Sequence, residues 1–260
     1  MMQASIVTVC FNSAATLADT LRSVSEQVYP RVEHVLVDGG STDGTLELVR
    51  MHAKRVGPCV SEPDRGTYDA MNKGLALSSG DFVGFLNSDD VYQDARVLED
   101  VAQAFEQGAH FVYGDIDMVD DQGQLVRHWR AGPLPGGRLG RRQLPHPAFF
   151  VRRDWLLRLR PAFDDSLRIA SDLKQQLILI DQLGARGLYI ERPLARMRVG
   201  GASTASVANI MAGWRESRRA YNDVFGRGGW WYTVAKVSAK LGGVRSVSHL
   251  VSSLAGRRAS

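Results

Sequence analysis

Up to Tyr113, short apolar runs alternate with stretches in which apolar residues recur every three or four positions. The first pattern predicts strands, and the second predicts amphipathic helices. The predicted strands are Ser5–Phe11, Val32–Val37, Val56–Ser61, Phe82–Leu86 and His110–Tyr113. The apolar faces of the intervening helices are formed by Leu17, Leu21, Val24 and Val28, by Leu46, Val49 and Ala53, by Tyr68, Met71 and Leu75, and by Val97, Val101 and Phe105. This order predicts an α/β fold whose mostly parallel central sheet is flanked by helices.

Beyond Tyr113 the pattern is less regular. The predicted elements are a hairpin at Asp117–Arg130, a loop rich in Gly, Pro and Arg at Ala131–Pro145, a strand at Ala148–Val151, a helix at Asp172–Leu183, a last strand or edge at Arg192–Arg198 and a helix at Ala208–Phe225. A long irregular loop inside a compact domain is usually functional or mobile, which makes Ala131–Pro145 a candidate part of a site.

The glycine-rich stretch Gly226–Gly229 separates a predicted domain over residues 1–225 from a C-terminal extension over residues 226–260. The extension carries apolar residues at helix-like intervals, namely Trp230, Trp231, Val234, Val237, Leu241, Val244 and Val251. It also carries the basic residues Lys236, Lys240, Arg245, Arg257 and Arg258. A basic amphipathic helix of this kind suits a peripheral position on an anionic membrane surface. The alternatives are a helix packed against the domain and a helix in a homodimer interface.

Positive charge is concentrated in two parts of the chain. The net charge of the 260 residues is +4, but residues 224–260 hold six basic and no acidic residues, so the rest of the chain is slightly acidic. A second basic stretch at Arg127–Arg160 has nine Arg and one acid, Asp154. Such clusters attract phosphates, anionic lipid or nucleic acid. Because the sequence has no recognisable nucleic-acid-reading module, nucleic acid is not an expected partner.

The start of the chain predicts a first strand and not a signal peptide, because Met1–Cys10 has neither a basic region nor a small-residue cleavage site. No apolar stretch approaches the roughly 20 residues that span a bilayer. The expected location is the cytoplasm, with the inner membrane face as an option. Cys10 and Cys59 lie in strand-like apolar settings, which favours reduced core thiols over a disulfide or a zinc site.

Two acidic clusters follow predicted strands, at Val37–Thr45 and Leu86–Asp90. In open α/β sheets, ligands bind beyond the carboxyl ends of the strands, so these clusters are expected to meet at one edge. The neighbouring acids Asp89 and Asp90 repel each other unless a cation or a donor is near, and Mg²⁺ or Mn²⁺ binds one or two carboxylates together with substrate phosphates. The alternatives are an ordinary capping turn and a solvated loop.

A third segment, Glu62–Gly74, lies between these clusters in the sequence. Its predicted helix places Asp69, Asn72 and Lys73 on one polar stripe. Ordinary amphipathicity explains a polar stripe, but a loop at a strand end followed by such a helix also suits the edge of a ligand site.

Together, the segments Ile6–Asn12, Val37–Thr45, Glu62–Gly74 and Phe85–Asp90 resemble the family 2 inverting glycosyltransferases of the GT-A fold. Within that group, residues 68–74 resemble bacterial enzymes that build surface polysaccharides, and the resemblance extends over about Ser5–Ser203. It implies a hexosyltransferase-type enzyme that takes a sugar from a nucleotide-diphosphate sugar. The implied acceptor is a hydroxyl of a glycan or of a lipid-linked molecule.

The resemblance also implies roles for individual residues. The implied donor-binding residues are Asn12, Asp38, Asp69, Asn72, Lys73 and Asp89. Among these, Asp38 would contact the nucleotide base and Asp89 the ribose or the metal, whereas Asp90 would bind Mg²⁺ or Mn²⁺ between the donor phosphates. Asn87 departs from the family pattern, because many relatives have an acid there, so Asp90 is expected to hold the metal with less help.

The second half of the chain supplies the implied catalytic base. Residues 164–172 resemble the acceptor segment of the family, whose final acid, Asp172, opens a helix and would accept the proton of the attacking hydroxyl. An acid at a helix start is also a common cap. His146 matches a family histidine near donor and acceptor, although it could merely shape its proline-flanked loop. Arg196, Arg198 and the run Gly200–Ser203 are candidate diphosphate contacts, with ordinary surface chemistry as the equal alternative.

Three other functions are weighed against this one. A phosphatase of the Asp-x-Asp type needs a second acid two positions after the first. This chain has Gly39 and Gly40 after Asp38, so the second acid is missing. A dinucleotide-binding enzyme would have a glycine-rich turn after the first strand, and Phe11–Ala15 has none. The remaining alternative is a non-catalytic nucleotide- or carbohydrate-binding scaffold of the same fold.

Overall fold

In a computed structural model, the part of the chain that the structure describes forms one nine-stranded sheet with helices packed against it. The structure describes residues 1–51, 56–199 and 207–234. The strands are β1 Ala4–Cys10, β2 Val32–Asp38, β3 Val56–Ser61, β4 Phe82–Phe85, β5 Val91–Tyr92, β6 Phe111–Val119, β7 Leu125–Trp129, β8 Phe149–Arg152 and β9 Gly187–Arg198. The helices are α1 Leu17–Ser25, α2 Thr45–Met51, α3 Thr67–Leu77, α4 Val97–Glu106, α5 Arg153–Leu156, α6 Ser171–Gln176 and α7 Val207–Phe225. Short 3₁₀ turns occupy Pro135–Gly137 and His146–Ala148, and α6 continues as a π-helix over Leu177–Gln182.

The strand order of the sheet is β3-β2-β1-β4-β8-β6-β9-β5, with β7 paired to β6. Strands β3, β2, β1 and β4 are mutually parallel, and β6 is parallel to β9. The pairings β4–β8, β8–β6, β6–β7 and β5–β9 are antiparallel. Cys10 at the end of β1 is in register with Asp38 at the end of β2. The loops that follow β1, β2 and β4 therefore leave the sheet at the same edge, as the sequence predicts.

Helices cover both faces of the sheet, so every residue of β1 is buried. On one face, Val7 and Val37 pack with residues of α3 and α6; on the other, Ile6 packs with residues of α4. Helix α3 lies very close to β1 because Gly74 has no side chain, and a Cβ there would lie 2.3 Å from Cγ1 of Val7. This close approach fixes the distance between α3 and β1.

Most predicted elements are confirmed within one or two residues at each end, and the differences have local causes. Helix α1 ends at Ser25, because the N–H of Val28 donates to the carbonyl of Ala95, and the Val28 side chain is 57% exposed rather than inward. Strand β9 begins at Gly187 and lies between β6 and β5, so it is not an edge strand.

The prediction of two core thiols is half correct. Cys10 is buried, but Cys59 is exposed, because β3 is the edge strand of the sheet. Both thiols are free. The predicted inward residue Ala53 lies outside the described residues.

The first residues of the predicted C-terminal extension pack against the domain. Residues 229–234 are helical, and the ring of Tyr232 is buried with its centroid 5.2 Å from that of Tyr221. Trp230 and Trp231 on the same turn are exposed. The remaining predicted apolar and basic positions of the extension, from Lys236 onward, lie outside the described residues. Among the residues that are described, no helix has the length and hydropathy needed to cross a membrane.

Candidate active site

The loops that follow β1 and β2 are joined by hydrogen bonds. The N–H of Asn12 donates to Oγ of Ser41 at 2.7 Å, and the N–H of Thr42 donates to Oδ1 of Asn12 at 3.0 Å. The N–H of Ala14 donates to Oδ2 of Asp43 at 3.0 Å. Asn12 has a φ of 48°, a left-handed conformation that Asn tolerates better than most residues. The predicted donor residue Asn12 therefore sits in a pre-formed loop at the strand ends.

Asp38 is fully buried at the end of β2. Its Oδ2 accepts hydrogen bonds from the N–H groups of Gly40 and Ser41, at 3.1 and 3.0 Å, and from the hydroxyl of Ser61 at 2.6 Å. Burial alone would raise the pKa of the Asp38 carboxyl, but these hydrogen bonds outweigh it and the pKa is lowered. Asp38 thus shapes the turn after β2 as an ionised group, and its contact with a nucleotide base stays a prediction.

Asp90 is a buried acid without a full set of partners. Its backbone is fixed, because the hydroxyl of Thr20 donates to its carbonyl at 2.8 Å. Among the described residues, neither carboxylate oxygen of Asp90 accepts a hydrogen bond of ordinary geometry, and Oδ1 of Asn87 is likewise unpartnered. Burial raises the pKa of Asp90 well above its ordinary value, and the charge of Asp89 raises it further. Burial also raises the pKa of Asp89.

These oxygens fit a hard divalent cation in their chemistry. The unpartnered oxygens of Asp90 and Asn87 are the kind of ligand that Mg²⁺ and Mn²⁺ prefer. No group of three His, Cys, Asp or Glu side chains suited to a metal exists in the part of the chain that the structure describes. An ion here would therefore need oxygens from a substrate as well, which agrees with the expectation drawn from Asn87.

The two predicted arginines of β9 differ in their surroundings. Arg198 lies near the acid pair, where its charge acts to lower the pKa values of both Asp89 and Asp90. Arg196 instead donates from Nη2 to the carbonyl of Gln93 at 3.2 Å and is exposed. Arg198 is thus the better placed of the two for an anionic ligand, and the predicted contacts at Gly200–Ser203 lie outside the described residues.

Asp172, the predicted base, lies in the first turn of α6 and is 8% exposed. The hydroxyl of Tyr68 donates to Oδ1 at 3.2 Å, and Nε2 of Gln143 donates to Oδ2 at 3.0 Å. The N-cap residue of α6 is Ala170, which makes no side-chain capping hydrogen bond, and Asp172 lies two residues further on. Both carboxylate oxygens are instead oriented by side chains from distant segments.

His146 lies close to Asp172. Burial lowers the pKa of His146, and the charge of Asp172 offsets this only in part. The ring is therefore neutral near pH 7. Its Nε2 is buried and has no hydrogen-bond partner among the described residues, and its centroid is 6.1 Å from that of Phe85 at the end of β4. The structure thus places His146 near both Phe85 and the predicted base.

The polar stripe of α3 splits into two parts. Nδ2 of Asn72 donates to the carbonyl of Phe163 at 2.8 Å and its Oδ1 accepts the N–H of Phe163 at 3.0 Å, so this amide joins α3 to the segment before α6. Asp69 pairs with Arg65 at 2.9 Å, and Lys73 pairs with Glu62 at 2.8 Å. The geometry gives Asn72 a structural contact, and donor binding by the three stripe residues stays a prediction.

Comparison with known families gives a match at residues 5–167 to the family described as Glycosyl transferase family 2. A PGL/p-HBAD biosynthesis glycosyltransferase of Mycobacterium tuberculosis is 35% identical over 154 residues, which are 57% of this chain and 59% of the relative. An uncharacterised glycosyltransferase of the same species is 35% identical over 183 residues, 67% of each chain. The putative teichuronic acid biosynthesis glycosyltransferase TuaG of Bacillus subtilis is 29% identical over 122 residues, 46% of this chain and 48% of TuaG. The chain therefore spans only about three-fifths of the first of these relatives.

Two solved structures share the fold. Mannosyltransferase PcManGT from Pyrobaculum calidifontis, in complex with GDP-Man and Mn²⁺, has a TM-score of 0.65 at 17% identity, over 98% of this chain and 80% of that chain. Residues 1–349 of Staphylococcus aureus TarS, in complex with UDP-GlcNAc, have a TM-score of 0.64 at 19% identity, over 84% of this chain and 65% of that chain. These likenesses establish the GT-A fold. Asp172, α6 and α7 lie beyond the residues that match the family.

Proposed function

Because the chain belongs to glycosyl transferase family 2, we propose that it moves a hexosyl group from a nucleotide-diphosphate sugar to a hydroxyl of a glycan or lipid-linked acceptor in bacterial polysaccharide biosynthesis. The observation that carries the proposal is the setting of Asp172. Its two carboxylate oxygens are held by Tyr68 and Gln143, and a neutral His146 lies beside it. An acid oriented by two side chains is what a general base for an acceptor hydroxyl requires, and His146 connects it to Phe85 at the end of β4.

In the proposed reaction, Asp172 accepts the proton of the acceptor hydroxyl while that oxygen attacks the anomeric carbon. The bond from the anomeric carbon to the nucleoside diphosphate breaks in the same displacement, so the anomeric configuration inverts. The acceptor hydroxyl becomes strongly acidic only as the new bond forms, and an ionised carboxylate at the correct distance is sufficient. The hydrogen bonds from Tyr68 and Gln143 restrict the Asp172 side chain to one orientation, which favours such a distance.

On the donor side, the pre-formed loops at Asn12 and Asp38 and the acids Asp89 and Asp90 would hold the nucleotide. A Mg²⁺ or Mn²⁺ ion bound at Asp90 would supply positive charge to the leaving diphosphate. Arg198 adds a fixed positive charge on the same side. Asp69 and Lys73 would contribute from α3. The GDP-Man and Mn²⁺ bound to PcManGT and the UDP-GlcNAc bound to TarS are consistent with a donor of this class.

The variant Asp172→Asn tests the proposal. A panel of nucleotide sugars with Mn²⁺ is first screened for binding by thermal shift, and the donors that bind are then assayed with glycoside and lipid-diphosphate-linked acceptors by product mass spectrometry. We expect the variant to bind the donor as the wild type does and to transfer no sugar. Asp154→Asn changes an exposed acid outside the site and is the matched control. Turnover near the wild-type rate in Asp172→Asn would reject Asp172 as the base, and donor binding without turnover in the wild type would favour the non-catalytic scaffold.

The proposed location is the inner face of the cytoplasmic membrane, where lipid-linked acceptors would be found. The described surface that supports it has Trp230, Trp231 and Val234, which are 59%, 66% and 42% exposed, next to the guanidinium of Arg218, 5.4 Å from the Trp230 ring centroid. Exposed tryptophans with neighbouring cations are typical of interfacial segments.

Substitution tests the membrane proposal better than truncation, because a chain ending at residue 225 would also lose the buried Tyr232. We expect Trp230→Ala/Trp231→Ala to co-sediment less than the wild type with vesicles that contain phosphatidylglycerol. The exposed Met51→Ala is the control for a distant apolar surface. Equal sedimentation of all three proteins would remove the lipid role, and a concentration-dependent mass that the double variant loses would indicate a homodimer interface instead.

A further inference from the structure

A carboxylate from α7 holds the segment that leads into Asp172. Glu216 accepts the N–H of Arg168 at 3.0 Å, the N–H of Ile169 at 2.7 Å and the N–H of Ala170 at 3.1 Å. Three consecutive backbone donors thus converge on one side chain that comes 46 residues later in the sequence. Ala170 is the N-cap residue of α6, so Glu216 lies immediately before the turn that carries Asp172.

The same segment is held from its other side by α3. The hydroxyl of Tyr68 donates to the carbonyl of Ile169 at 2.9 Å and is also 3.2 Å from Oδ1 of Asp172. The peptide groups of Ile169 are therefore fixed at the N–H by Glu216 and at the carbonyl by Tyr68. One hydroxyl connects this fixed backbone to the side chain of the proposed base.

Further contacts dock α7 on the segment without touching those three N–H groups. Nη2 of Arg219 donates to Oγ of Ser166 at 2.9 Å. Asp223 pairs with Nζ of Lys174 at 2.8 Å, and Lys174 also pairs with Asp164 at 2.7 Å. Helix α7 would therefore remain docked by other links if Glu216 were replaced.

We propose that Glu216 is a positioning residue for Asp172. Helix α7 would then contribute to the active site through Glu216. The inference rests on the proposed function, because it concerns the distance between the Asp172 carboxylate and an acceptor hydroxyl. Without a hydrogen-bond acceptor at position 216, the N–H groups of residues 168–170 lose their common partner, and the turn that carries Asp172 is free to shift. Displacements of about 1 Å at a reacting group reduce rates by up to roughly 100-fold.

The kinetic test compares Glu216→Ala and Glu216→Gln with the wild type. We expect kcat to fall about 10-fold to 100-fold in Glu216→Ala. The KM for the donor should stay within about twofold, since hydrogen bonds join Asn12 and Asp38 to residues 40–42 and Ser61 and not to α7. Glu216→Gln keeps one acceptor oxygen and should show an intermediate kcat.

Asp223→Ala is the control on the same helix. It weakens docking but leaves the three N–H groups bonded, so its kcat should equal that of the wild type. Equal losses of kcat in Glu216→Ala and Asp223→Ala would overturn the inference.

A further measurement separates positioning from general stability. In the full chain without substrates, amide hydrogen exchange at residues 168–170 should be faster in Glu216→Ala than in Asp223→Ala. Unchanged exchange would overturn the inference even if activity fell. If exchange is faster in Glu216→Ala but the wild type transfers no sugar, the Glu216 contact is established and the proposed function is rejected instead.

Discussion

The hydroxyl of Tyr68 lies 3.2 Å from Oδ1 of Asp172, a residue 104 positions later in the chain. Each of the two residues occupies the first turn of its helix, α3 for Tyr68 and α6 for Asp172. The ring of Tyr68 is also stacked on that of Phe163, with centroids 5.7 Å apart. The position of the proposed base therefore depends on how α3 is seated against the sheet.

Removal of the Tyr68 hydroxyl should affect both activity and stability. In Tyr68→Phe, the carbonyl of Ile169 and Oδ1 of Asp172 lose the one O–H donor that they share. We expect the free energy of unfolding to fall by about 1–2 kcal/mol and kcat to fall roughly tenfold, because one side of the base is no longer oriented. Denaturant unfolding and steady-state assays measure the two effects.

Tyr92→Phe is the matched control for this change. The Tyr92 hydroxyl is buried and has no hydrogen-bond partner among the described residues, so its removal breaks no such bond. Its loss should leave stability unchanged or slightly raised. If the free energy of unfolding falls by the same amount in both variants, the hydrogen bonds of Tyr68 do not stabilise the protein.

In the absence of metal, Asp90 should lower the free energy of unfolding. Its carboxyl is buried and unpartnered, and burial raises its pKa. Asp90→Asn removes the cost of an ionised group there, so we expect a free energy of unfolding about 1 kcal/mol higher than that of the wild type in EDTA at pH 7. The variant should also lose the additional thermal shift that Mn²⁺ gives with a bound nucleotide sugar. Asp19→Asn, at an exposed surface pair, should change neither quantity. An Mn²⁺ response that persists in Asp90→Asn would place the metal elsewhere.

The first half of the fold could be predicted because local signals there agree. The apolar runs of β1, β2 and β4 are buried on both faces, and the acids that follow β2 and β4 come at the strand ends. Strand alternation and helical periodicity are local properties, and parallel strand ends meet at one edge by geometry alone. This is why Asp38, Asp89 and Asp90 could be assigned to one edge without coordinates.

The contacts around the base could not be predicted in this way. Gln143 donates to the Asp172 side chain from 29 positions away, and Glu216 accepts the N–H groups of residues 168–170 from 46 to 48 positions away. Neither residue type nor spacing indicates such contacts. The only signal for Gln143 was its place in the long loop Ala131–Pro145. Asn72 shows the opposite case, since its position on a polar stripe suggested a ligand contact, whereas its amide binds the backbone of Phe163.

Gly74→Ala should destabilise the protein, although alanine is the better helix former. In an exposed helix interior, this change stabilises by about 1 kcal/mol. At Gly74 the new methyl would lie 2.3 Å from Cγ1 of Val7, inside the packed interface of α3 and β1. We expect a loss of roughly 1–3 kcal/mol in the free energy of unfolding, measured by urea denaturation. Ala76→Gly, on the exposed side of the same helix, should cost only about 1 kcal/mol. A stabilised Gly74→Ala would show that α3 can move away from β1.

His34 should make the fold sensitive to acid in a defined range of pH. The ring is buried in β2, with Nε2 2.9 Å from Oγ1 of Thr8, and burial lowers its pKa from 6.5 to about 4. Below pH 6.5 the unfolded chain binds a proton at this residue that the folded chain does not bind until about pH 4, so stability is lost as pH falls through this window. The lost free energy of unfolding should be roughly 3 kcal/mol, at about 1.4 kcal/mol for each pH unit. Glutamine does not titrate and can still pair with Thr8, so urea unfolding of His34→Gln at a series of pH values should give a profile flatter by that amount between pH 7 and pH 4. Parallel profiles for the two proteins would show that His34 has the same pKa in the folded and the unfolded chain.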